Sequence, residues 1–240
     1  MTAAPAAGPA VIYGVGVGPG DPGLLTVRAV EVLQHVTAVM TPAPKRGGES
    51  LAYDIARTHL PAGCEVVHGH FPMTEDPETL RTAWDEAAAG LLRLAAAAPP
   101  VAFITLGDAM LYSTWSYLLT AIRRLAPGVA VETVPGVTAM AACAAAVGRP
   151  LAEGRDPLLV WPDEPPADPG ALLEVAPNLV FMKAGRHLDA LADLADASGA
   201  EAVAVRRASQ ERGAFTSDLR SWAGDREYFT TVLMHREESE

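Results

Sequence analysis

Residues 11–22 read Val11-Ile12-Tyr13-Gly14-Val15-Gly16-Val17-Gly18-Pro19-Gly20-Asp21-Pro22. A short apolar run at 11–16 passes directly into a loop of glycine and proline. A buried strand that ends this way fits an α/β sheet, in which ligands gather at the carboxyl ends of strands. The spacing excludes two familiar loops. A dinucleotide fingerprint starting at Gly14 needs glycine where Pro19 stands, and one starting at Gly16 needs it where Asp21 stands. No Gly-Lys-Ser/Thr follows, so the loop is not a P-loop. What remains is a turn whose glycines permit close backbone approach or positive φ and whose prolines stiffen it.

Outward from this stretch the first half alternates strands with helices. A helix over 26–36 carries Val27, Val30, Leu33 and Val36 at helical spacing, with Thr26 as its cap. Strands are expected at 38–40, 65–67, 101–106 and 129–134, and helices at 51–60, 79–98 and 138–147. Trp115, Leu118, Leu119, Ile122 and Leu125 form one apolar face of a further helix that begins near Ser113. This alternation argues for a mostly parallel sheet covered by helices. Between 150 and 169, Pro157, Pro162, Pro165, Pro166 and Pro169 break any long element. Beyond them the pattern predicts a strand at 179–182, a helix at 187–197 and strands at 202–205 and 228–234. The chain thus reads as two α/β domains, 10–134 with the glycine-rich loop and 135–236 completing the site, after an untethered tail at 1–10.

Composition narrows the function classes. The chain has 240 residues, half of them hydrophobic, which is enough for packed cores. No apolar run reaches the roughly 18 residues of a membrane span, and the N-terminus lacks the pattern of a signal peptide. A formal net charge of −11 repels nucleic acid and anionic membranes but leaves room for a local basic pocket. Two cysteines, Cys64 and Cys143, exclude a disulfide scaffold and a cysteine-rich metal site. The only close histidine pair, His68 and His70, has no neighbouring residue to complete a metal set, so no metal site is expected. No Gly-x-Ser-x-Gly elbow is present. The expected setting is a cytoplasmic protein acting on a small molecule.

Three strand ends carry candidate chemistry: the loop at 14–22, Leu106-Gly107-Asp108-Ala109-Met110-Leu111-Tyr112, and Val134-Pro135-Gly136-Val137-Thr138-Ala139. Asp108 is suited to accept a hydrogen bond from a ribose, an amine or a peptide N–H, or to cap the helix that follows. Taken together, the three turns make a shared rim.

These turns resemble those of the tetrapyrrole methylase family, which uses S-adenosylmethionine. The family's Gly-x-Gly-Pro-Gly-Asp loop is matched by 16–21, its Gly-Asp-Pro by Gly107-Asp108 with Ala109 replacing proline, and its Pro-Gly-Ile/Val-Thr/Ser-Ser/Ala by 135–139. Further segments extend the likeness over roughly 11–235: 47–52, 71–74, 103–114, 148–154 and Met182-Lys183-Ala184-Gly185-Arg186. The stretch 201–225 matches poorly. The resemblance implies two α/β domains of the tetrapyrrole methylase type with the active site in the cleft between them, acting as a homodimer. It implies methylation at carbon 20 of precorrin-2 or its cobalt-bearing form, in corrin biosynthesis. By the family pattern Pro19, Leu106, Gly107, Asp108, Leu111, Thr138, Ala139 and Met182 line the cofactor. Lys45, Arg46, Arg149, Lys183 and Arg186 are candidates to rim an acidic substrate, and Tyr112 and Asp21 are candidate bases. Two other readings stay open here: a family member acting on another tetrapyrrole or an unrelated metabolite, and a non-catalytic protein that retains the cofactor fold.

Overall fold

The structure is a computed structural model that describes residues 12–43, 50–72, 74–162 and 164–236. The tail expected at 1–10, and Lys45 and Arg46, lie outside these residues. The chain divides into two compact units between Val137 and Thr138.

The first unit runs β1 (Ile12–Gly16), α1 (Val27–Leu33), β2 (Ala38–Ala43), α2 (Leu51–Ala56), β3 (Glu65–His70), α3 (Pro77–Ala97), β4 (Val101–Thr105), α4 (Thr114–Leu125) and β5 (Val131–Val134). Its five strands lie in the order β3-β2-β4-β1-β5, and every pairing is parallel. The alternating residues of β4 show why both faces are covered. Val101 and Phe103 pack with α3 and α4, while Ala102 and Ile104 pack with α1 and α2. β1 therefore passes its chain to one face of the sheet and β4 to the other. These two neighbours form the topological switch point, and the crevice for a ligand opens at their carboxyl ends.

The second unit runs α5 (Ala139–Val147), β6 (Leu158–Pro162), α6 (Gly170–Val175), β7 (Asn178–Met182), α7 (Leu188–Ser198), β8 (Glu201–Arg206), β9 (Ala214–Thr216) and β10 (Thr230–His235). The sheet order is β6-β7-β10-β8-β9, with only the β6–β7 pair parallel. Leu179, Phe181 and Val232 face α6 and α7, and Val180, Val205 and Leu233 face α5.

The structure departs from the sequence reading in several places. Val27 is 78% exposed: it occupies the first helical position after the Thr26 cap, where it points to water. Leu125, the last residue of α4, is also exposed. The helix expected at 51–60 ends at Ala56 and tightens into a 3₁₀ turn at Arg57–His59. β6 forms inside the proline-rich segment because it is an edge strand, where its terminal Pro162 costs no interior ladder bond. Tyr228 and Phe229 precede β10 rather than opening it.

Candidate functional site

The carboxyl ends of β1, β4 and β5 meet backbone to backbone. A Cβ on Gly16 would come within 2.7 Å of the Gly107 carbonyl oxygen and 2.8 Å of the Gly136 nitrogen. A Cβ on Gly136 would collide with the same Gly107 oxygen. Gly18 and Gly107 have φ of +79° and +69° and exchange both backbone hydrogen bonds, Gly18 N–H to Gly107 O at 3.1 Å and Gly107 N–H to Gly18 O at 2.7 Å. The side of Gly107 where a Cβ would stand is open, with no atom within 4 Å apart from those of its chain neighbours. The cradle thus offers neutral backbone and room beside it.

Asp108 ties this seam together. Its Oδ1 accepts from Met110 N–H at 2.8 Å and its Oδ2 from Gly136 N–H at 2.9 Å. It does not cap α4. That role falls to Ser113, whose hydroxyl accepts from Trp115 N–H at 3.1 Å and donates to Thr105 Oγ1 at 3.2 Å. Behind the turns the Trp115 ring lies flat where a Gly14 side chain would be, and its Nε1 donates to Thr133 Oγ1 at 2.8 Å.

The other first-unit candidates share this end of the sheet. Pro19 is buried and Leu106 and Leu111 are half-buried. Asp21 is exposed and begins a 3₁₀ turn at Pro22–Leu24, its Oδ1 accepting from Gly23 N–H at 2.7 Å. Met110 and Tyr112 stand 57% and 48% exposed, and Tyr112 holds a left-handed φ of 50°. Exposed apolar groups on a strained turn are the surface expected of a ligand wall.

In the second unit Thr138 caps α5, its hydroxyl accepting from Ala141 N–H at 3.3 Å, and Ala139 is the first helical residue. Met182 ends β7, Lys183 follows with φ of 57°, and Arg186 closes the next 3₁₀ turn. The Lys183 ammonium lies 5.7 Å from the centre of the Tyr228 ring. Arg149 does not join this group. It pairs with Glu201 at 2.8 Å, and the register of β8, β10 and β7 places Glu201 level with Asn178. That is four residues, about 13 Å along the strands, from Met182. The pair belongs instead to a cavity of about 510 Å³ that also involves Asp218 and Arg220.

Sequence reading passed over the carboxyl end of β8. Arg206 stacks on Trp222 with its guanidinium carbon 3.9 Å from the ring centre, and it pairs with Asp225. Arg207 pairs with Glu227 at 2.9 Å. Lys183, Arg207, Ser209 and Arg226 all have positive φ without being glycine, a concentration of strain typical of functional ends. The Arg206-Arg207 dipeptide closing an apolar strand was the available signal.

With this geometry in place the comparisons are direct. Residues 11–220 match the model of the tetrapyrrole (corrin/porphyrin) methylases, and the chain belongs to that family of methyltransferases. It is 38% identical to a cobalt-precorrin-2 C(20)-methyltransferase of Salmonella typhimurium, over 94% of this chain and 96% of that one. It is 31% identical to a precorrin-2 C(20)-methyltransferase of a Sinorhizobium species, over 93% and 94%. A uroporphyrin-III C-methyltransferase from Thermus thermophilus, solved with S-adenosylhomocysteine, superposes with a TM-score of 0.67 at 23% identity, over 94% of this chain and 92% of that one. No helix among the described residues is long and apolar enough to cross a membrane.

Proposed function

We propose that this protein transfers the methyl group of S-adenosylmethionine to carbon 20 of precorrin-2, metal-free or cobalt-bearing, in corrin biosynthesis. The observation that carries the reading is the 38% identity, sustained over nearly both full lengths, to a relative named for that reaction.

The residues present fit such a cofactor. It carries no phosphate, and the seam at Gly16, Gly107 and Gly136 is a close-packed neutral backbone rather than an array of cations. The open side of Gly107 leaves room for a ligand against the turn. When bound, the cofactor supplies an electrophilic methyl on a positively charged sulfur. Pro19, Leu106, Gly107, Leu111, Thr138, Ala139 and Met182 hold and orient it. In-line displacement at an enamine-type ring carbon depends chiefly on alignment, which rigid turns provide. Lys183 and Arg186 pair with carboxylate arms of the substrate. Neither forms an ion pair among the described residues, whereas Arg149 is already matched by Glu201. Tyr112 and Asp21 are the candidates to take the carbon 20 proton after transfer. Homodimerisation and a cytoplasmic location belong to the same family reading, and light scattering on the purified protein tests the first.

The deciding experiment is a product mass spectrum. The protein is incubated with S-adenosylmethionine and enzymatically made precorrin-2, with and without cobalt. One added methyl, placed on carbon 20 by isotope-labelled NMR, is the expected result and identifies the acceptor. Cofactor binding without any added methyl would reject the substrate assignment.

A further inference from the structure

We propose that Asp108 is a positioning residue of the methyl-transfer site, a strap whose carboxylate holds the β4 and β5 turns in register without itself binding the cofactor. The proposal rests on the reading of these turns as the cofactor cradle.

β4 and β5 are not neighbours in the sheet, because β1 lies between them. The Asp108 side chain leaves the β4 turn, passes the carboxyl end of β1 and reaches the Gly136 amide at 2.9 Å. Its other oxygen is held by the Met110 amide of its own turn at 2.8 Å, so the carboxylate cannot rotate towards a ligand without breaking both bonds. Beneath the strap there is no slack. Gly16 and Gly136 approach the Gly107 carbonyl so closely that neither tolerates a Cβ. A displacement of Gly136 is therefore a displacement of Gly107. The β1 and β4 turns are already joined by the paired Gly18–Gly107 backbone bonds. The β5 turn has no such pairing with the β4 turn among the described residues. A long hydrogen bond from Thr26 Oγ1 reaches it at Pro135 O, at 3.4 Å. Asp108 is thus the short bond that fixes the third turn to the other two. It also anchors the chain two residues before Thr138, where the second unit begins.

The test uses full-length wild type, Asp108→Asn and Asp108→Glu. Asparagine removes one acceptor, and glutamate keeps the charge but moves it by one methylene. Affinity is measured for S-adenosylhomocysteine and for 5′-methylthioadenosine, which lacks the amino-acid arm. Backbone hydrogen exchange at Gly136 is measured without ligand. The strap predicts that both variants weaken both ligands by a similar factor, roughly tenfold or more, and speed Gly136 exchange. Thermal unfolding identifies the folded variants to be compared.

Loss of S-adenosylhomocysteine affinity alone would make Asp108 a direct ligand of the amino-acid arm and overturn the proposal. So would restoration of full affinity by Asp108→Glu, or unchanged exchange at Gly136. Failure of both variants to fold would reduce Asp108 to a general stability residue and equally overturn it. If wild type itself binds neither ligand, the cofactor reading fails first and the strap with it.

Discussion

Trp115 and Gly14 illustrate how single positions fix this protein. The ring occupies the volume of the missing side chain and ends in a bond to Thr133. Gly14→Ala would push it off both, and the expected loss is about 2 kcal/mol or more in urea unfolding. Cys143 makes a different prediction. Burial pushes its thiol up to about 11, from 9.0, against a smaller opposing hydrogen bond from Thr231. Because the folded state holds its proton more tightly than the unfolded chain, stability from this group is complete below about 9. It drains away as pH rises to about 11. Wild type should therefore lose about 2–3 kcal/mol more than Cys143→Ala over that window. Equal slopes for the two proteins would rule this out. Neither effect was legible in the sequence: a glycine in a strand and a cysteine in a small-residue helix acquire meaning only from what packs on them.

Elements were legible where a strong period met a clear stop. The run at 101–106, stopped by Gly107 and realised as a strand over Val101–Thr105, and the Thr26 cap are examples, because an unbroken apolar run and side-chain capping are local, sequence-encoded features. The glycine loop was also readable as a ligand-side turn, since it follows directly on a short apolar strand. What stayed hidden was set by partners far along the chain. β6 exists because β7 offers it an edge, and β9 because β8 does. Asp108 reads as a ligand or a cap, and only the approach of Gly136 reveals the strap. Arg149 reads as a free cation until β8 brings Glu201 to it. At this scale the turn after β7 is open to test. A Cβ on Gly185 would collide with the Glu227 carbonyl, so Gly185→Ala must displace the segment that presents Lys183 and Arg186. If those cations grip substrate carboxylates, KM for the tetrapyrrole should rise at least about tenfold. A smaller change in cofactor affinity is expected, as read by calorimetry.

For the whole molecule, charge and division matter most. An exterior of net charge −11 repels an acidic substrate at long range, while direct pairing acts at contact. Salt screens the first more than the second, with a Debye length of about 10 Å at 0.1 M. Raising ionic strength from very low values to about 0.1 M should therefore increase kcat/KM. A monotonic fall would mean that attraction governs the encounter as well. Each unit also owns a complete five-stranded sheet with apolar clusters on both faces. Fragments cut between Val137 and Thr138 should each unfold cooperatively by circular dichroism, and a sloping, featureless melt of either would count against independent folding. The seam at the carboxyl ends of β1, β4 and β5 has a further consequence for anyone seeking to redirect this enzyme to new acceptors. Main chain rests on main chain at 16 and 136, and a left-handed φ disfavours other residues at 107, so a saturation library spread evenly over the site would spend many of its clones on inactive protein. Diversity is better placed at Met110 and Arg207, whose side chains leave strand ends without being wedged between backbones, so that new selectivity can be sought while the packed turns stay as they are.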